Sequence, residues 1–134
     1  SLTLTGVSPQ ELSSANFVFD TSATPRSVTG TALADTIFGG LGNDSLVGAG
    51  GDDLMVGDAG NDTLSGENGN DTISGGKGTD ALTGGIGDDV FVVLAGDVVS
   101  GDMFDGGADA DTLRVDGGGT IDLTVLSLSN IEPP

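Results

Sequence analysis

GTALADTIF-GGLGNDSLV-GAGGDDLMV-GDAGNDTLS-GENGNDTIS-GGKGTDALT-GGIGDDVFV, residues 30–92, is one unbroken series of seven nine-residue units. Numbering each unit from its leading glycine, the sixth position is always aspartate: Asp35, Asp44, Asp53, Asp62, Asp71, Asp80 and Asp89. The eighth is always large and apolar: Ile37, Leu46, Met55, Leu64, Ile73, Leu82 and Phe91. A fixed period of this kind builds one small unit repeatedly, each burying its apolar residue against its neighbours. The last three positions predict a short strand with one inward side chain between two outward ones. The first six predict a turn, where glycine admits positive φ and close backbone approach. Two units make one eighteen-residue coil of strands linked by tight glycine turns, an all-β chain. Asp35, Asp53, Asp71 and Asp89 then stack along one edge, and Asp44, Asp62 and Asp80 along the other.

Stacked strands lie about 4.8 Å apart. At an effective dielectric near 20, neighbouring carboxylates at that spacing repel by about 3 kcal/mol per pair. Such ladders oppose folding unless a cation lies between coils. The donors on offer are carboxylate and carbonyl oxygens, with no His or Cys in the chain. Zinc and copper are thereby disfavoured, and calcium, which takes six to eight oxygen ligands, is the best match.

Composition narrows the remaining classes. Asp and Glu number 21 against three basic residues (Arg26, Lys77 and Arg114), for a net charge of −18. A chain so acidic repels nucleic-acid phosphates and anionic bilayers alike, and no apolar run reaches membrane-spanning length. Low bulk with high charge predicts disorder in the metal-free state. With no cysteine for disulfides, bound metal is the expected staple of an extracellular domain. Without His, Cys or an isolated carboxylate pair outside the repeats, no enzymatic role is expected. Three glycosylation-like sequons, at Asn43, Asn61 and Asn70, read as by-products of the repeat.

Outside the array, residues 1–29 read as a cap or as the tail of a preceding β domain. Strands are expected at Ser1–Val7 and Asn16–Asp20, with a helical turn between them. Residues 93–134 read as a longer loop, a degenerate repeat in Gly106–Arg114, and closing strands over Thr120–Glu132. The chain starts at Ser1 rather than Met, which suggests a piece of a longer protein. One outward face carries Phe38, Leu54, Val56, Val90 and Val92, and Phe17 and Phe19 are expected to help cover it.

The units resemble the RTX (repeats-in-toxin), or hemolysin-type, calcium-binding nonapeptide GGxGxDxUx, where U is large and apolar. GGLGNDSLV, GGKGTDALT and GGIGDDVFV follow it throughout, whereas Ala49, Asp58 and Glu67 replace the second glycine in three other units. The resemblance implies a right-handed parallel β-roll, with Ca2+ held between successive loops of one edge. The aspartates would lend carboxylates. Loop carbonyls would come from Gly40, Gly42, Gly51, Gly60, Gly69, Gly76, Gly78, Gly85 and Gly87. By position, the sharing pairs are Asp35/Asp53, Asp53/Asp71, Asp71/Asp89, Asp44/Asp62 and Asp62/Asp80, with a sixth site at Asp111, so that about five or six ions are expected. The family further implies folding outside the cell after type I secretion, at the bacterial surface or beyond. The parent protein is read as an adhesin or surface-layer protein, with a secreted toxin, protease or lipase as the alternative. The partners expected are calcium and flanking domains, with the piece itself monomeric.

Overall fold

A computed structural model describes residues 23–97, 99, 101–118 and 127–132. The strands and helical turn expected before Asp20, together with Phe17 and Phe19, lie outside these residues. So does most of the Thr120–Glu132 stretch.

The described chain forms eleven strands and no helix, so none is long and apolar enough to cross a membrane. In order they are β1 (Ser27–Thr29), β2 (Thr36–Leu41), β3 (Ser45–Gly50), β4 (Leu54–Ala59), β5 (Thr63–Asn68) and β6 (Thr72–Lys77). There follow β7 (Ala81–Ile86), β8 (Val90–Leu94), β9 (Met103–Ala108), β10 (Thr112–Asp116) and β11 (Ser127–Ser129). Odd-numbered strands form one sheet, β1-β3-β5-β7-β9-β11, and even-numbered strands the other, β2-β4-β6-β8-β10. All pairings are parallel. Successive units therefore alternate between two facing sheets in a solenoid of about five turns, the expected parallel β-roll.

Register follows the period. Ile37 pairs with Met55, Met55 with Ile73, and Ile73 with Phe91 in one sheet. Leu46, Leu64, Leu82 and Phe104 line up in the other. These side chains, with Val93, are the whole buried apolar core among the described residues. Phe91 and Phe104 meet edge to face across it, 5.8 Å between ring centroids. One position deep from either sheet, the core has no second layer to compensate for a lost side chain.

The strands are longer than the three residues expected. Six of the seven repeat strands span six, running from position 7 through position 3 of the next unit. Pairing lapses at position 1: Phe38 pairs with Val56 and Gly40 with Asp58, with no partnership between Gly39 and Gly57. The six-residue strands thus pair as a three-residue ladder, one unpaired position and a two-residue ladder, whereas β8 and β10 pair over five residues without a break.

Of the apolar outward face, Phe38, Val56, Val90 and Val92 are half-buried, whereas Leu54 is exposed.

Because Leu64 is buried at the centre of the odd-strand sheet, Leu64→Ala should cost about 2–5 kcal/mol, the usual range for such a cavity. Urea unfolding at saturating calcium measures it. Thr63→Ala, on the exposed face beside it, should change the midpoint little.

Candidate metal centre

Strand alternation places the aspartates inside. Along Asp53–Gly57 the pattern is buried, exposed, buried, half-buried, buried, so positions 6, 8 and 1 share the inner face. The buried charged side chains of the described residues are accordingly all aspartate: Asp35, Asp44, Asp53, Asp62, Asp71, Asp80 and Asp89, joined by Asp102 and Asp111. None exceeds 4% exposure, a degree of burial that a carboxylate tolerates only with compensation.

One oxygen of each side chain is compensated by the backbone. The N–H of Asp35 donates to Asp53 Oδ1 at 2.7 Å, Asp53 to Asp71 at 2.8 Å and Asp71 to Asp89 at 2.7 Å. On the opposite edge Asp44 donates to Asp62 at 2.7 Å and Asp62 to Asp80 at 2.9 Å. All five pairs expected from the spacing are thus in contact, as links of two continuous ladders.

Both ladders extend beyond the repeats. Asp89 N–H reaches Asp111 Oδ1 at 2.9 Å, and Asp80 N–H reaches Asp102 Oδ1 at 3.1 Å. The spacing there is 22 residues rather than 18, so the loop after Leu94 adds four residues without breaking the ladder. One ladder starts with the Arg26 N–H on Asp44 Oδ1. The other ends with the Asp111 N–H on Glu132 Oε2, at 2.6 Å. Asp102 and Glu132 escaped the sequence reading because the insertion shifts the phase and Glu132 has no motif around it.

The second oxygen differs. Oδ2 of Asp44, Asp53, Asp62, Asp71, Asp89 and Asp111 is buried without any hydrogen-bond partner. Position 1 must be glycine for these oxygens to fold back onto their own loop. A Cβ on Gly48, Gly57, Gly66 or Gly84 would collide with Oδ2 of the aspartate five residues on and with a glycine carbonyl of the next coil. Among the described residues no three carboxylates group as a metal site by side chains alone. Further oxygens must come from the backbone, and the loops present them. The carbonyls of Gly42, Gly51, Gly60 and Gly69 each point at the matching glycine one coil later, where a Cβ would strike them.

Positions 2 and 4 of the six later units turn through positive φ, except at Gly42. Gly40, Gly76 and Gly85 occupy position 2, and Gly51, Gly60, Gly69, Gly78 and Gly87 position 4. Ala49, Asp58 and Glu67 adopt the same conformation, with φ of 84°, 81° and 78°. The loop shape therefore survives substitution, at a cost of roughly 1–2 kcal/mol for each non-glycine residue held there.

Position 5 holds a second ladder. Asn61 N–H donates to Asn43 Oδ1, Thr79 to Asn61, Asn70 to Asp52, Asp88 to Asn70 and Ala110 to Asp88, all at 2.9–3.0 Å. These side chains are exposed, yet each binds the next coil, in the opposite sense to the buried ladder.

Burial raises Asp62, Asp71 and Asp89 to about 6, against 3.8 for a free carboxyl. Desolvation is the largest cause, the donated N–H opposes it, and neighbouring carboxylates add further. Asp53, Asp80 and Asp111 shift upward for the same leading reason. Repulsion from each neighbouring carboxylate, expected to dominate, thus adds less than desolvation does.

Comparison with family models gives a match to the RTX calcium-binding nonapeptide repeat (4 copies) at residues 29–64, 56–91 and 65–98, together just over half of the chain. Comparison with curated proteins and with solved structures gives no significant match.

A carboxyl raised on folding binds its proton more tightly in the folded chain, so acid favours folding. The gain is full below the unfolded value of 3.8 and is lost as pH rises to about 6. In chelator, far-ultraviolet circular dichroism should therefore show more β structure at pH 4 than at pH 7. A signal flat across that window would contradict the burial of these carboxyls.

Proposed function

Because the chain belongs to the family of RTX calcium-binding nonapeptide repeats, we propose that it folds on meeting extracellular calcium, as one module of a larger type I-secreted bacterial protein. The observation that carries this reading is the set of buried Oδ2 atoms without a donor. The site fits a hard cation: its donors are carboxylate and carbonyl oxygens, with no imidazole or thiolate in the chain. A bound Ca2+ supplies two positive charges where the chain offers only acceptors.

The proposed ligands are Asp44, Asp53, Asp62, Asp71, Asp80 and Asp89, together with loop carbonyls of the glycines at positions 2 and 4. Asp44, Asp53, Asp62, Asp71 and Asp89 divide their labour, Oδ1 holding the neighbouring coil's N–H and Oδ2 remaining for the cation. Extracellular calcium modules bind at about 10⁻⁴–10⁻³ M, so the chain stays open in low-calcium cytosol and closes outside. We read the parent as an adhesin or surface-layer protein, with a secreted toxin, protease or lipase as the alternative. We assign the module no catalytic step.

A calcium titration followed by circular dichroism tests this directly. β signal should appear at submillimolar to millimolar calcium and not at equal magnesium; no gain at millimolar calcium overturns the reading. Asp62→Ala removes a group that faces two neighbours on its edge. It should move the midpoint to several-fold higher calcium, whereas Asp52→Ala, at exposed position 5, should move it far less.

A further inference from the structure

The motif treats its aspartates alike, but six second oxygens are orphaned whereas those of Asp35 and Asp102 are not. Oδ2 of Asp35 accepts from the Thr31 backbone N–H and from Thr31 Oγ1, the latter at 2.9 Å. Oδ2 of Asp102 accepts from the Val99 N–H at 3.0 Å. Both aspartates are 3% exposed, as deeply buried as the rest. Their donors come from features that break the repeat. Thr31 stands at position 2 of the divergent first unit, and Val99 belongs to the inserted loop, whose turn is closed by the Asp97 N–H on the Leu94 carbonyl.

Asp111 is the converse. It lies beyond the matched residues 29–98, yet it is 0% exposed and its Oδ2 has no donor. Asn130 and Glu132 seat the closing segment on its loop in place of a further repeat. The Asn130 carbonyl packs on Gly106 as the Gly106 carbonyl packs on Gly84. The Glu132 N–H binds the Asp111 carbonyl as the Thr112 N–H binds that of Asp89.

We propose that cation binding follows the orphaned oxygen and not the motif: Asp35 and Asp102 are capped by peptide donors and ligate no cation, whereas Asp111 ligates one beyond the matched repeats. A buried carboxylate oxygen needs either a donor or a cation. Thr31 and Val99 fill that need at one end of each ladder, Thr31 at the start of the Asp35 edge and Val99 at the end of the Asp44 edge. The site at Asp111 takes an oxygen-seeking divalent ion. Glu132 and the Asn130 carbonyl hold the closing segment against it. The assignment rests on the calcium reading above and divides the aspartates within it.

Native mass spectrometry at saturating calcium tests it by counting ions on the wild type and on isosteric variants, which keep an acceptor for the ladder N–H. Asp71→Asn and Asp111→Asn should each carry at least one ion fewer than wild type. Asp35→Asn and Asp102→Asn should carry the wild-type number. An ion lost from Asp35→Asn or Asp102→Asn, or none lost from Asp111→Asn, overturns the assignment. A wild-type chain that binds no calcium overturns the functional reading instead. Carboxyl carbon-13 shifts of the unmutated chain give a readout independent of variant folding. The Asp111 signal should move on calcium addition by as much as that of Asp71, and the Asp35 and Asp102 signals should move much less; equal movement of all four overturns the proposal.

Discussion

Everything in this solenoid depends on carboxylates placed where hydrocarbon normally goes. Among the described residues the buried core has nine apolar side chains and nine aspartates. The apolar half is too thin to carry the desolvation of the other half unaided. Backbone N–H groups compensate one oxygen of each aspartate in the ladders, and six second oxygens are left with nothing. On the proposed reading such a fold is conditional, and protons or a cation supply the missing stability.

The glycines make that arrangement possible by two separate means. At position 1 the requirement is space, since any Cβ would displace the carboxylate that folds back over it. At positions 2 and 4 it is conformation, a left-handed turn that lets loop carbonyls stack from coil to coil. The difference explains which substitutions the chain carries. Position 2 accepts Ala49, Asp58 and Glu67 because strain of roughly 1–2 kcal/mol can be borne. Position 1 is glycine in every repeat unit, because a steric collision with a buried charge has no comparable escape.

Much of this was legible in the sequence because a strict period converts directly into geometry. Nine residues to a unit and two units to a coil put Asp44 over Asp62 and Leu46 over Leu64, and the structure places them there. The pattern failed where phase or chemistry left it. Asp102 was hidden by four inserted residues, and Glu132 does with a longer side chain what an aspartate does elsewhere. Strand length was underestimated because glycine at positions 1 and 2 looks like turn, although parallel pairing resumes after the unpaired position. The position-5 ladder was missed because its side chains are exposed, and exposure alone says nothing about bonding between coils.

The buried ladder also has a direction. Each aspartate N–H is satisfied by the carboxylate one coil later, so the chain needs a donor to begin the series and an acceptor to finish it. Arg26 supplies the first on one edge, and Glu132 the second on the other. Every aspartate between presents the same donor forwards and the same acceptor backwards. Copy number is therefore a free variable: units can be gained or lost in the middle while both ends stay closed, and the array can lengthen or shorten in evolution without redesign of its termini.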